Sequence, residues 1–311
     1  MPHFLCSITN QILTKENRNI VIAGGTGLIG EELVKELRKR GHDVRVLSRS
    51  QKGKGFYHWS PKEKKINPEA FNNADTIINL AGAGIADKKW SEKRKKAIVD
   101  SRVKSTQVLH EASKAVPTLR QYISASGVNC YGYNQPDRFH RETDNFGNDF
   151  LSTVVKRWEE AADLFQNRCK VTKVRTGIVL TDQGGALPTI AKTVKNYIGA
   201  PLGTGEQSMP WLTIEDMVRV YIHLLENENE GAFNAVAKNT SNKTFTKTLG
   251  KVLKKPILPI HVPAFVMRLA LGEMASMVLD GLKADHSKLK DTGFQFKHTD
   301  LNKTLQSIYN D

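Results

Sequence analysis

The stretch Asn19-Ile20-Val21-Ile22-Ala23 runs directly into Gly24-Gly25-Thr26-Gly27-Leu28-Ile29-Gly30, and Glu31 to Arg40 follows with helix-forming residues. A β-branched run, glycines spaced G-x-x-G-x-x-G and a helix make a strand–turn–helix unit. In such a unit the first glycine permits the tight turn and the second lets the backbone approach a pyrophosphate. The third lets the helix pack on the strand. The unpaired amides at the helix start, around Leu28 and Ile29, then face the anion. Leu33, Val34 and Leu37 give the helix an apolar face, and a second strand, Asp43 to Leu47, arrives after Gly41-His42. The competing reading is a βαβ unit whose glycines serve packing alone. The flanking strand and helix favour a dinucleotide site built on Gly24, Thr26, Gly27, Leu28 and Ile29.

The end of the second strand discriminates between dinucleotides. NAD binders place an Asp or Glu there for the ribose hydroxyls, and that carboxylate repels a 2′-phosphate. Here the position holds Ser48-Arg49. A guanidinium grips a phosphate by charge-assisted hydrogen bonds, and Asp43 lies at the wrong end of the strand to substitute. NADP is the expected cofactor.

At 311 residues the chain suffices for one large domain or a domain with an appendage. Its formal charge is +14, from 46 Lys+Arg against 32 Asp+Glu. Much of the excess sits in Lys88-Lys89 and Lys93-Arg94-Lys95-Lys96, with more in Lys251, Lys254 and Lys255. Such runs read either as a nucleic-acid or membrane-surface patch, or as solvated helix faces beside a phosphate-rich cofactor. No aromatic residues interleave with the lysines as a stacking platform requires. We therefore expect a small-molecule substrate, with neither nucleic acid nor a membrane as partner. Cys6, Cys130 and Cys169 form no disulfide framework and no metal spacing, which points to a reducing, cytoplasmic compartment. The nine histidines are scattered, and no metal is expected. No apolar run approaches the roughly 18 residues needed to span a bilayer. Residues 1–17 lack the apolar stretch of a secretory signal and read as an extension.

Strand-like runs alternate with helical ones, the rhythm of an α/β fold with a doubly wound parallel Rossmann-type sheet. Phe56-Tyr57-His58-Trp59 and Lys64-Lys65-Ile66 read as a small hairpin. Thr76 to Leu80 is the third core strand, and Ala81-Gly82-Ala83-Gly84 is the turn after it. A long helix is expected from Ser91 to Ala115, a fourth strand at Tyr122 to Ala125, and a helix from Phe150 to Gln166. A fifth strand spans Val171 to Leu180, with a helix near Glu215 to Glu226 and a short strand at Ala232 to Val236. The sequence divides into a dinucleotide-binding domain over 18–237, with 186–214 contributing to the substrate region, and a small, mostly helical C-terminal unit over 254–305. In that unit an apolar helical stretch is expected from Ala264 to Leu282, a final helix reaches Tyr309, and the unit should sit over the carboxyl ends of the strands.

With these residues in view, the chain resembles the extended short-chain dehydrogenase/reductases, and more narrowly their atypical epimerase-family group. The likeness is carried by Gly24 to Gly30 with Ser48-Arg49, and by Asn79 to Ile85 leading to Trp90. It continues in Ser101-Arg102-Val103 with Ser105-Thr106, in Trp158-Glu159 and in Arg175 to Leu180. Gly184 to Pro188 and Pro210 to Met217 belong to the same set. The resemblance covers about residues 18–305, including the C-terminal unit, whose role in that group is unknown. It implies an NADP-binding fold with strand order 3-2-1-4-5-6. Leu80 and Ala81, with Gly82 after them, would pass beside the adenosine end of the cofactor, and Arg102 would join Arg49 in its site.

Enzymes of that superfamily move a hydride with a Ser and a Tyr-x-x-x-Lys pair, the lysine lowering the phenol's pKa. Ser126, at the end of Ser124-Ala125-Ser126 and before Tyr131-Gly132, matches the serine. The tyrosine is missing: four residues before Lys156 stands Ser152, and a one-residue shift pairs Leu151 with Val155. Ser126, Tyr131 and Lys156 remain the candidates, with Tyr133 and Cys130 on the loop beside them, and no catalytic acid is assigned. Trp211, Leu212 and the C-terminal helix are expected to line a substrate pocket. Three functions follow: an NADP-dependent oxidoreductase or epimerase-like enzyme on a small carbonyl or sugar-type substrate, an NADPH-binding sensor with little turnover, and a nucleic-acid-associated protein resting on charge alone.

Overall fold

The computed structural model describes residues 16–50, 52–133, 135 and 137–309. The expected extension therefore falls, but for Glu16 and Asn17, outside the described residues, together with Cys6. β1 (Asn19–Ala23), α1 (Leu28–Lys39) and β2 (Asp43–Ser48) are followed by β3 (Phe56–Ser60), the short β4 (Lys65–Ile66) and β5 (Thr76–Asn79). α2 (Glu92–Ser113) leads to β6 (Gln121–Gly127). After β7 (Phe139–His140), α3 (Phe150–Ala162) leads to β8 (Lys170–Thr176). Next come β9 (Ile178–Leu180), α4 (Ala186–Lys195), β10 (Ser208–Thr213), α5 (Ile214–Glu226), β11 (Gly231–Ala235), β12 (Lys238–Ser241) and α6 (Asn242–Val252). The chain closes with α7 (Ala264–Leu271), α8 (Ser276–Leu279), β13 (Lys283–Ala284), α9 (Ser287–Asp291) and α10 (Leu301–Tyr309). No helix among the described residues is long and apolar enough to cross a membrane.

The main sheet has the order β4-β3-β2-β1-β5-β6-β8-β11, parallel throughout except where β4 turns back on β3. Period-two alternation buries it on both faces. Ile20 and Ile22 share a core with Leu33 and Leu37 of α1 and with Val220 and Leu224 of α5. Val21 and Ala23 point the other way, into a core with Leu109 of α2 and Ala162 of α3. Each large aliphatic so buried contributes about 2 kcal/mol, and the doubly wound architecture follows.

Three segments differ from the sequence reading. Phe56–Ser60 is more than a hairpin arm: it pairs in parallel with β2, and Thr76–Asn79 becomes the fourth parallel strand by chain order. The reason is Trp59, which is buried in the second core and needs the sheet edge to cover it. The run from Val171 to Leu180 breaks at Gly177, where a Cβ would stand 2.7 Å from the Pro210 carbonyl oxygen. Beyond it β9 leaves the main sheet and pairs with β10, which also carries β12. The apolar stretch from Ala264 to Leu282 is interrupted at Gly272, whose φ is +60°. The sequence reading missed α6. Its signal is the N-cap Ser241, whose Oγ accepts from the Thr244 amide at 3.3 Å.

At the amino ends of the strands, Glu228 gathers Arg18 at 2.6 Å, Arg120 at 2.5 Å and Lys170 at 2.9 Å. It follows α5 in a left-handed conformation (φ +47°). Its amide bonds back to Leu225 O at 3.2 Å, and the Asn229 amide to Leu224 O at 3.1 Å. This helix ending favours glycine, so the carboxylate is held there against its backbone preference. Hydrogen bonds from Lys170 and Arg18 hold the carboxyl at about 2, below its ordinary value of 4.5. A depressed carboxyl stabilises the fold above its unfolded pKa, and that contribution is lost as pH falls through the folded value. Glu228→Gln should therefore cost ~2 kcal/mol near pH 7, with the penalty vanishing toward pH ~2. Urea denaturation across pH checks this, and a pH-independent penalty would contradict the clamp.

Candidate cofactor and active site

Chain order reverses between β1 and β5, and the crevice at their carboxyl ends is where open α/β sheets take ligands. Gly24 follows β1 at φ +79°, and a Cβ there would lie 2.7 Å from the Leu80 carbonyl carbon and 2.8 Å from the Ala81 nitrogen. A Cβ at Gly30 would lie 2.2 Å from the Gly24 oxygen. Both glycines are demanded by the protein's own backbone. At Gly27 a Cβ would meet only Gly24 O, at an ordinary 3.5 Å, so packing does not account for that glycine. No side chain caps α1. The amides of Leu28, Ile29 and Gly30, in its first turn, are left as donors, with Thr26 and Gly27 exposed beside them. A bare backbone cradle before an uncapped helix fits a pyrophosphate.

The loop after β5 is fixed from two sides. Asn79 donates to Tyr122 Oη at 3.0 Å and Thr106 Oγ1 at 3.1 Å, and its Oδ1 accepts from the Ala81 amide at 3.1 Å. From α2, Ser101 Oγ accepts from the Ala83 amide at 2.9 Å, and Arg102 donates to the Ala83 carbonyl at 3.0 Å. Arg102 is buried, lies over the Trp158 ring at 4.9 Å, and makes no ion pair among the described residues. Its Nε has no hydrogen-bond partner. Burial, with Arg94 adding repulsion, lowers its pKa to about 10, so it stays cationic at neutral pH. A Cβ at Gly82 would lie 3.0 Å from this guanidinium carbon. Gly24, Leu80, Ala81, Gly82 and Arg102 are thus in one chain of contacts. On the neighbouring strand Ser48 is buried, and Arg49 beyond it is exposed with no ion pair among the described residues.

The catalytic candidates fare differently. Ser126 donates to Glu159 Oε1 at 2.5 Å, and Glu159 is gripped by Arg175 through Nε at 2.8 Å and Nη2 at 2.9 Å. Arg175 Nη1 also donates to Tyr131 Oη at 3.0 Å, and Tyr131 donates to Asn234 Oδ1 at 2.7 Å. All five residues are buried. Burial pushes the Tyr131 phenol up, as it does the Cys130 thiol and the Tyr133 phenol. None of the three is poised to lose a proton near neutral pH. Lys156 is exposed and forms no hydrogen bond or ion pair with these groups among the described residues, while the single Ser152 hydroxyl proton is shared between Asp149 Oδ2 at 2.9 Å and the Asn129 carbonyl at 3.0 Å. Val155 of α3 shares a small core with Val128 and Tyr131, just beyond the end of β6.

Trp211 and Leu212 do not line a pocket. Both are fully buried, Trp211 donating to Thr240 Oγ1 at 2.9 Å inside a third core with Phe245 and Leu305. The sequence reading quoted Glu159 and Arg175 without a role and missed Asn234 and Glu142. The Asn234 amide donates to Glu142 Oε1 at 2.7 Å, and burial raises that carboxyl. The available signal was position: Glu159 falls on the face of α3 that also carries Val155 and Ala162, and Arg175 follows Val174 in β8, where burial obliges a charge to pair. Among the described residues no group of three or more His, Cys, Asp or Glu side chains is placed to hold a metal ion.

A parallel doubly wound sheet with a glycine turn at its switch point defines the dinucleotide-binding class of α/β fold. The family model of the NAD dependent epimerase/dehydratase family matches residues 20–150, and a domain of unknown function, DUF1731, matches 262–308. The chain is 34% identical over 307 residues to the epimerase family protein SAR0825 of Staphylococcus aureus, covering 94% of this chain and 99% of that one. A crystal structure of the human epimerase family protein SDR39U1 with NADPH superposes with a TM-score of 0.85 at 30% identity, covering 94% and 99% of the two chains. A nucleoside-diphosphate sugar epimerase from Corynebacterium glutamicum gives 0.78 at 26% identity, covering 94% of this chain and 58% of that one. The chain belongs to the NAD-dependent epimerase/dehydratase family, within its group of epimerase-family proteins.

The buried ion pair makes a stability prediction. Glu159→Ala strands the Arg175 charge and should cost about 3–5 kcal/mol, whereas Ser126→Ala, which removes one hydrogen bond, should cost about 1 kcal/mol. Thermal and urea unfolding of both variants measure this. A Glu159→Ala protein as stable as the parent would show the pair to be dispensable.

Proposed function

We propose that this chain binds NADP(H) at the β1–β5 crevice and serves as an oxidoreductase or epimerase-like enzyme on a small carbonyl or sugar-type substrate. Arg49 carries the reading. It stands exposed and unpaired among the described residues, one position beyond the buried Ser48, where a carboxylate would mark an NAD site. The human relative whose crystal structure contains NADPH supports the same choice. The amides of Leu28 and Ile29, with the bare backbone at Thr26 and Gly27, would hold the pyrophosphate. Gly24, Leu80, Ala81 and Gly82 would flank the adenosine half, and Arg102 would place a second cation under that loop. A bound nicotinamide supplies hydride transfer.

The familiar phenol relay has no counterpart in α3, whose sequence FLSTVVKRWEEAA contains no tyrosine. Ser126 spends its proton on Glu159, and Leu151 and Val155 are apolar where the relay would face the nicotinamide. This observation favours a second reading, an NADPH-binding sensor with little turnover.

Calorimetric titration with NADPH and NADH tests the shared premise. NADPH should bind more tightly, and Arg49→Glu should weaken it ~30-fold, a loss of about 2 kcal/mol, while sparing NADH. Equal affinity for the two cofactors, or an unmoved NADPH affinity in the variant, would sink the NADP assignment. Screening carbonyl and nucleotide-sugar panels for NADPH oxidation and for epimerised product separates the two readings, since turnover defeats the sensor.

A further inference from the structure

Between Gly231 and Gly272 the chain carries Lys238, Lys243, Lys247, Lys251, Lys254, Lys255 and Arg268 and neither aspartate nor glutamate. Half of the molecule's formal excess of +14 lies in this stretch. The C-terminal end of α6 and the turn after it place Lys247, Lys251, Lys254 and Lys255 around a hollow of about 380 Å³ walled by Ile257. None of the four is paired with a carboxylate among the described residues. Lys255 instead sits 4.2 Å from the Tyr197 ring centroid and bonds its hydroxyl.

The fold sets apolar groups directly beside these lysines. Residues 199–203 and 258–262 run side by side, with the Leu258 amide on Gly199 O, the Val262 amide on Pro201 O and the Gly203 amide on Val262 O, each at 2.9 Å. Ile198, 62% exposed, directly precedes the one paired segment, and Ile260, 66% exposed, lies within the other. From there the chain runs through Pro263 into α7, which has no buried residue and holds Phe265 69% and Leu269 84% exposed. Tyr197, which follows α4, takes a left-handed φ of +63° that a bulky residue avoids, and its ring is turned outward.

We propose that this face is a peripheral membrane-binding surface that docks on bilayers carrying anionic headgroups. Ile198, Ile260, Phe265 and Leu269 enter the acyl boundary, and the lysines at 247, 251, 254 and 255 meet the phosphates. From sequence alone these lysines read as solvated faces with no membrane contact; the apolar strip beside them changes that. A second copy of the chain is a poor occupant, because a twofold contact through this face would set lysines against lysines. A nucleic acid has no use for protruding aliphatics. An acidic peptide would engage the lysine hollow alone and leave the protruding Phe265 and Leu269 without a partner.

Co-sedimentation of the full chain with vesicles tests this, using phosphatidylcholine alone or with roughly 30% phosphatidylglycerol. Binding should occur on the anionic vesicles only and fall severalfold as salt rises to about 0.5 M. Phe265→Glu with Leu269→Glu should cut partitioning about tenfold or more, as should Lys251→Glu with Lys254→Glu, while melting temperatures hold and show both variants folded. Equal binding to both vesicles, or binding to neither, overturns the proposal. So does retention of duplex DNA or an acidic peptide without vesicle binding, or a dimer in sedimentation equilibrium that the α7 substitutions dissolve.

Discussion

Gly24 follows the central strand with its α-carbon against the Leu80–Ala81 peptide, and the crevice is built outward from that contact. The two strand ends approach closely because residue 24 has no Cβ, and the turn takes a positive φ for the same reason. On the far side, Asn79 satisfies the Ala81 amide and spends its own amide on Tyr122 and Thr106. From α2, Ser101 and Arg102 pin Ala83. Each such bond is worth about 1 kcal/mol net, but leaving a buried partner unmade costs more. The loop conformation is therefore over-determined by the protein's own groups. Preorganisation of this kind lowers the ordering cost of binding.

The second constraint is the buried Glu159–Arg175 pair. It joins α3 to β8, Ser126 ties it to β6, and Tyr131 with Asn234 extends it to β11. Desolvating two charges offsets most of their attraction, so the pair is weak evidence for stability. Its geometric consequence is firmer: the carboxyl ends of three strands are cross-linked sideways by directional bonds. This cross-linking commits the hydroxyls that sequence offered for proton transfer. A serine donating to a carboxylate at 2.5 Å and a phenol donating to an amide oxygen at 2.7 Å serve the scaffold.

The parts of the fold legible in sequence were the local ones. The glycine spacing, the apolar runs of β1, β2 and β5, and the boundaries of α2 and α5 depend on neighbours within a few residues. Residue roles set by register were not legible. Glu159 and Arg175 stand 16 apart and meet only because α3 crosses onto β8. Trp211 looked like a pocket wall because aromatic residues near a predicted ligand end invite that reading. It is instead core, since β10 leaves the main sheet to build a third hydrophobic centre. The break at Gly177 was hidden because the β-branched pattern continues across it, and only the approach of Pro210 shows why the strand must turn.

The C-terminal residues show how an exposed apolar helix is kept in place. β13 pairs with β7, and Asn239 exchanges bonds with both backbone groups of Ala284 at 3.0 Å. Leu289 and Phe294 lie in the core that α5 shares with the main sheet. The fully buried Asp216 accepts from the Lys297 and His298 amides at 2.9 Å. Upstream, the strip at 258–262 is pinned to 199–203. Both flanks of α7 are thus anchored, while α7 itself has no fully buried residue and only half-buries Ala264, Met267 and Leu271. A helix free at either end would fold its Phe and Leu side chains back onto the body, because each such burial is worth about 2 kcal/mol. Held at both ends, α7 is denied that collapse, and its apolar face is presented outward by the same bonds that complete the core.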